Sequence, residues 1–407
     1  MTASLGVEFL VWLLMAASII AILAARLRIP YTAALVAGGL VLGMMPAGQG
    51  SLLDAAHRPH WLTPDVILIV FLPALVFEGS VRLNFRDLLR DFVPLLILAN
   101  VGVVLATLVT GFLTYWWVGL PILVAFLFGA IISATDPISV LALFKNWKVD
   151  PRLALIIEGE SLLNDGTAAV LFQIIAAAVL AGRFRILQGI EDYFLSIFGG
   201  SAVGILFGYI GSRVTARIND PQIEITLTAL VAYGSYLLAY HAHLSGIIAT
   251  ASAGLMVGNV GRRGMGPETR AAMQAFWEYV SFVMNSILFL LIGMEVHVSS
   301  LLHSYRMVLL AVAAVLVGRA VSIYLLVPAS NAISEEIPAS WQHVLFWGGL
   351  RGALALALVL SLQTDFPDRA RLLDLIFGVV VFSILVQALT IKPLLRLLNL
   401  APQPNEG

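Results

Sequence analysis

Glu160-Ser161-Leu-Leu-Asn164-Asp165 places two acids, a hydroxyl and an amide at the head of a run that stays apolar to about residue 181, with Glu158 just before it. No cluster of turn residues separates the polar part from the apolar part. The pattern predicts one helix from about Arg152, carrying these groups to hydrocarbon depth. A charged side chain there costs about 2.5 to 3.5 kcal/mol on insertion scales, so an intramembrane carboxylate marks a functional site by default. Ser161 and Asp165 are four apart, as are Glu160 and Asn164, and each pair shares a helix face. A carboxylate among oxygen ligands suits a hard cation and also takes a proton. Competition between the two for one site would couple their movements without further parts.

The rest of the chain must hold that segment in a membrane. Of 407 residues, 60% are hydrophobic and only 12% charged, against about 25% charged in a soluble domain. Apolar runs of roughly 20 residues follow one another along the whole length, which is the pattern of a polytopic all-α membrane protein with one helical bundle. A net charge of −1 argues against nucleic acid as a partner. The absence of cysteine excludes disulfides, thiolate metal sites and cysteine nucleophiles. The first apolar run lacks a preceding basic region and a small-residue cleavage site, and reads as a retained span.

Hydropathy predicts thirteen spans, at about 6–25, 30–46, 62–80, 92–117, 121–144, 152–181, 194–212, 222–241, 244–260, 274–296, 306–328, 341–362 and 372–391, with a short polar tail at about 397–407. With the amino terminus outside, the inner loops and tail hold Arg26, Arg28, Arg82, Arg86, Arg90, Lys145, Lys148, Arg152, Arg213, Arg217, Arg262, Arg263, Arg270, Lys392 and Arg396. The outer loops hold Arg58, Arg183, Arg185, Arg306, Arg369 and Arg371. That bias, 15 against 6, places the carboxyl terminus in the cytoplasm. The inner loop with Glu335 and Glu336 runs against the trend.

Arg319 and Arg351 are the basic residues left inside spans. They lie in the second half of the chain, and the intramembrane acids Glu78, Asp136, Glu160 and Asp165 lie in the first. Buried charges need partners, so the expectation is that the halves pack acids against arginines. The helix breakers repeat the two-half pattern. Span five contains Ser133-Ala-Thr135-Asp136-Pro137, and span twelve contains Gly348-Gly-Leu-Arg351-Gly-Ala353. Proline removes a helix hydrogen bond and disfavours helix at the residue before it. Six spans (about 6–181), a linker span (about 194–212) and six more (about 222–391) make two inverted repeats by parity, with the interrupted helices at matching positions. That arrangement points to a transporter site near the midplane. Asp136 suits the positive ends of the half-helices and Arg351 the negative ends.

Glu160-Ser-Leu-Leu-Asn-Asp165, Ser133-Ala-Thr-Asp-Pro137 and Gly348-Gly-Leu-Arg-Gly-Ala353 resemble the motifs of the monovalent cation/proton antiporter-1 family, the NhaP-type and animal-type sodium/proton exchangers. The resemblance covers nearly the whole chain. It implies 13 helices, a dimerisation domain, a moving six-helix core domain, a homodimer, and electroneutral exchange of one monovalent cation for one proton by alternating access. Asp165 matches the aspartate that binds cation and proton in turn. Ser161, Thr135 and an acid on span three, here Glu78, complete the implied cation site. Asn164, Glu160 and Arg319 match a supporting network, and electrogenic relatives carry Asp-Asp and a lysine instead. No cofactor is implied; the substrates are Na+, Li+ or K+, and H+. The short tail favours a self-contained prokaryotic exchanger of the cell inner membrane.

A potassium/proton exchanger would use the same oxygens, and a passive cation channel is the rival of another class. A hydrolase is disfavoured, because Ser161 has no histidine or lysine in its span to act as base. His241 and His243 read as interfacial residues before pH sensors, Gly200, Gly204, Gly208 and Gly211 as a close-packing surface, and Trp116, Trp117 and Trp347 as interface anchors or bundle packing.

Overall fold

The computed structural model describes residues 3–27, 29–44, 66–218, 220–295 and 303–400, and among these every regular element is helical. Arg28, Arg58, the start of the third expected span and the end of the polar tail lie outside the described residues.

The chain begins with α1 (Ala3–Leu27) and α2 (Tyr31–Met44), packed together. A π turn at Ile67–Phe71 leads into α3 (Leu72–Arg82), and α4 (Phe85–Arg90) follows, capped by Asn84, whose Oδ1 accepts from the Arg86 N–H at 3.0 Å. Next come α5 (Phe92–Val118), α6 (Ile122–Ser133), α7 (Ile138–Trp147) and α8 (Pro151–Ala181). Then follow α9 (Ile186–Thr215), α10 (Pro221–His241), α11 (Gly246–Met256) and α12 (Pro267–Glu295). The last are α13 (Tyr305–Asn331), α14 (Ala339–Trp347), α15 (Ala353–Leu360) and α16 (Arg369–Leu397).

Local sequence explains the boundaries. Asp150 and Asp220 cap α8 and α10, each with proline as the first helical residue, where its missing N–H costs nothing. Gly182 takes the left-handed conformation that ends α8, at φ +62°. The linker span runs longer than hydropathy predicts, from Ile186, and α12 starts at Pro267. In both cases the helix ladder continues through polar residues that a hydropathy boundary excludes. Among the described residues, nine segments are long and apolar enough to cross a bilayer, with α6 and α7 counted together as one. Thirteen spans would require α2, α3, α11 and the α14–α15 pair as well, and each of these helices is shorter than the roughly 20 residues a hydrocarbon core demands.

The molecule is an all-helical polytopic membrane protein, and its packing puts α6 at the centre. Leu127, Phe128, Ala130 and Ile131 are fully buried between α5, α8, α13 and α15. A second apolar cluster, with Phe77 and Trp277 at its heart, joins α3, α10, α11 and α12. Gly200, Gly204 and Gly208 of α9 lie against the backbone of Ser245, Ala249 and Ala253, so a side chain at Gly204 would collide with the Ala249 carbonyl. The Trp116 ring stays 73% exposed on the outer surface, whereas the Trp347 Nε1 donates to Thr390 Oγ1 at 2.8 Å.

The acidic loop between α13 and α14 is neutralised locally. Arg90 donates twice to Glu335, at 2.6 Å each, and these bonds hold the Glu335 carboxyl below the usual glutamate range. Arg152 bonds buried Asp91 and reaches the carbonyls of Glu335 and Glu336.

Candidate functional site

Pro137 ends any chance of an unbroken fifth span, and the helix stops at Ser133 and restarts at Ile138. Gly348, Gly349 and Gly352 flank the matching break between α14 and α15. The two extended stretches cross, and the Asp136 N–H donates to the Leu350 carbonyl at 2.8 Å. At such breaks the free carbonyls and N–H groups need partners. The Arg351 guanidinium donates to the carbonyls of Ser133 and Ala134 at 2.9 and 3.0 Å, the negative end of α6. Asp136 Oδ1 accepts from the Ile138 N–H at 3.1 Å, at the positive start of α7. The expectation that acids would face arginines therefore holds for only part of the set. Arg351 is satisfied by carbonyls, and Asp136 and Asp165 have no ion pair among the described residues.

Behind the crossing lies a densely bonded cluster, in which Arg319 Nε is the one buried polar atom left without a partner among the described residues. Glu160 is 1% exposed and receives both terminal nitrogens of Arg319, at 2.5 and 2.8 Å. Arg319 also donates to the Leu345 carbonyl at 2.9 Å, which fixes the end of α14. Asn164 is fully buried. Its Nδ2 donates to Thr135 Oγ1 at 2.7 Å and to Glu160 Oε1 at 3.3 Å, and its Oδ1 accepts from the Thr135 N–H at 3.3 Å. Asn164 thus holds the broken segment by one residue's backbone and side chain.

The neighbouring face of α8 opens on a cavity of about 680 Å³. Thr135, Asp136, Ser161 and Asp165 line its inner part, and Glu78 and Glu158 its wall. Ser161 shares the face with Asp165, as the spacing predicts, but its hydroxyl donates across to the Thr135 carbonyl instead of along its own helix. Asp165 has no hydrogen-bond donor among the described residues. Glu78 pairs with Arg82 one turn further on, and Arg82 also meets Glu278 at 3.2 Å. Arg82, Lys145 and Lys148 place the cavity's mouth on the arginine- and lysine-rich face.

Sequence reasoning did not select Glu278, Ser281 and Asn285, which α12 contributes to the same cavity, nor Tyr31 and Thr32 of α2. The stripe 278, 281, 285 has helical spacing inside an apolar span and is a signal that could have found them.

Two broken helices crossing beside an unpartnered carboxylate at the bottom of a one-sided cavity define a secondary transporter for a small cation. A family model described as "Sodium/hydrogen exchanger, transmembrane" matches residues 13–397. The chain is 39% identical over 380 residues to the low-affinity Na(+)/H(+) antiporter NhaS1 of Synechocystis sp., covering 92% of this chain and 70% of that protein. It is 36% identical over 400 residues to the Na(+)/H(+) antiporter NhaH of Halobacillus aidingensis, covering 97% and 98%. The solved structure of the sodium proton antiporter MjNhaP1 from Methanocaldococcus jannaschii at pH 8 shares the fold, with a TM-score of 0.82 at 20% identity over 98% of this chain and 100% of that one. The chain belongs to the sodium/hydrogen exchanger family, and it is a transporter and not an enzyme.

Proposed function

We propose that the protein exchanges one Na+ for one H+ at the Asp165 carboxylate by alternating access. The observation that carries this reading is the contrast between Asp165, open to the cavity and without a hydrogen-bond donor among the described residues, and Glu160 less than two turns away, whose two carboxylate oxygens are both engaged by Arg319. Ser161 Oγ and the oxygens of Thr135 supply further hard ligands beside it, with Glu78 in the wall on the route in. A carboxylate with Na+ bound and a carboxylic acid carry the same net charge. The site therefore crosses the membrane neutral in both directions, and turnover is electroneutral.

The charge bias of the loops supports a cytoplasmic mouth for the cavity, which reads this structure as an inward-open state of the cycle. Dense packing of α6 and α15 closes the opposite side. The two six-span halves, about 6–181 and 222–391, then meet at the crossing, with α9 as linker. Glu160, Asn164 and Arg319 support the site, and Asp136 and Arg351 balance the half-helix ends.

The test is a proteoliposome with an acidic lumen and clamped membrane potential. Sodium or lithium should alkalinise the lumen at a rate insensitive to the clamped voltage. A response to potassium alone would change the substrate, and sodium flux without proton movement would leave a channel in place of an exchanger.

A further inference from the structure

A second cavity, of about 750 Å³, lies where the start of α4, the side of α9 and the π turn Val257–Gly261 after α11 come together. Four guanidiniums border it, from Arg82, Arg86, Arg262 and Arg263, and no carboxylate does among the described residues. Arg82 is already matched by Glu78 and Glu278. Arg86, Arg262 and Arg263 make no ion pair among the described residues, and Nε of Arg262 is buried with no acceptor. The charges acting on Arg262 are those of Arg270 and Arg82, of its own sign. A buried donor on a cation, left unpaired among like charges, is unfavourable unless an anion completes it.

The place is held rigidly. Asn259 Oδ1 accepts from the Phe85 N–H at 2.8 Å, and its Nδ2 donates to the carbonyls of Leu83 and Leu255 at 2.9 and 2.8 Å. Gly258 lets the π turn close on α3, since a side chain there would collide with the Val81 carbonyl. One side chain thus ties both arginine-bearing turns around a common space. The remaining wall is mostly apolar, with Ile205 on α9 and Phe85 on α4 each about half exposed. Guanidinium groups match phosphate oxygens in geometry and charge. An apolar wall running from the basic end along a membrane span has no use for a free anion, but it fits an acyl chain.

We propose that this cavity binds the phosphate of an anionic phospholipid headgroup through Arg86, Arg262 and Arg263, with an acyl chain laid against Ile205. The site lies on the basic face, where anionic lipid gathers around clustered arginines. It is independent of the ion-exchange reading, because none of these three arginines touches the first cavity.

The experiment melts the full chain in detergent with added phosphatidylglycerol, phosphatidylcholine or inorganic phosphate. Phosphatidylglycerol, at a hundredfold excess over its dissociation constant, should raise the melting temperature of the native protein by about 5 °C or more. Phosphatidylcholine and phosphate should leave it unchanged. Arg262→Gln/Arg263→Gln should lose the rise, while Arg183→Gln/Arg185→Gln, an equal charge change outside the cavity, should keep it. Arg86→Gln serves as a second variant if the first is unstable without lipid, and it should weaken the rise. An undiminished rise in Arg262→Gln/Arg263→Gln, or an equal loss in both double variants, would overturn the site. A rise of the same size with phosphate alone would overturn the lipid and leave an anion pocket.

Discussion

Glu160 and Asp165 sit on the same helix, α8, less than two turns apart, and meet opposite surroundings. Glu160 faces the crossing and is enclosed by Arg319 and Asn164, with both carboxylate oxygens engaged. Asp165 faces the cavity and has no protein partner. Residue type and depth are alike, so neither decides what the carboxylate does; the neighbouring element does. Arg319 on α13 commits Glu160 to structure. The broken stretch before α7 leaves Asp165 open to the cavity, as the proposed exchange requires.

Breaking the open side should have the largest effect on transport. Asp165→Asn keeps the shape and removes the exchangeable charge. Sodium-driven pH change in proteoliposomes should fall by at least about 100-fold, with size-exclusion profile and melting temperature retained. Breaking the closed side should act on stability first. Arg319→Ala leaves Glu160 buried without its partner, at a cost of roughly 3–5 kcal/mol, visible as a marked drop in melting temperature in detergent. An unchanged melting temperature would refute the structural reading of the pair.

Smaller changes sharpen the contrast. Ser161→Ala removes a hydroxyl beside Asp165 and should raise the apparent KM for sodium by about tenfold, one oxygen ligand's worth, while the melting temperature moves little. In the proposed cycle proton and cation compete for one carboxylate, so the sodium KM of the native protein should rise as pH falls, approaching about tenfold per pH unit at the acid end. A KM independent of pH would place the two ions on different groups. The smallest effect should come from the exposed counterpart of the buried pair. Arg90 lowers the Glu335 pKa, so this pair stabilises the fold above the usual glutamate range, and its contribution is lost as pH falls through the lowered value. Solvent screens it. Glu335→Gln should therefore change the melting temperature only slightly at neutral pH, and not at all in about 0.5 M salt.

Much of this contrast is legible in sequence, because charge in an apolar run is conspicuous. Asp165, Glu160, Arg319 and both helix breaks stand out from one-dimensional pattern alone, as does the all-helical membrane fold. What sequence withholds is partnership across the crossing. Ser161 shares a face with Asp165, but its hydroxyl bonds the Thr135 carbonyl, because the broken stretch passes within reach from another span. Arg351 donates to the carbonyls of Ser133 and Ala134, and sequence does not name the span that supplies this negative helix end. Asp91 and Arg152 look like ordinary loop charges until folding buries the first under the second. The short helices α2 and α11 lie near the limit where hydropathy distinguishes a span from a buried segment.

The most direct test of the central claim is proton release on sodium binding. Purified protein in weakly buffered detergent, near the pH where exchange is half-maximal, would receive sodium chloride with choline chloride as the control. The native protein should release a fraction of a proton per chain, saturating with sodium and never exceeding one, and Asp165→Asn should bind no sodium and release none. Sodium binding without proton release in the native protein, or undiminished release in Asp165→Asn, would contradict a shared carboxylate at Asp165.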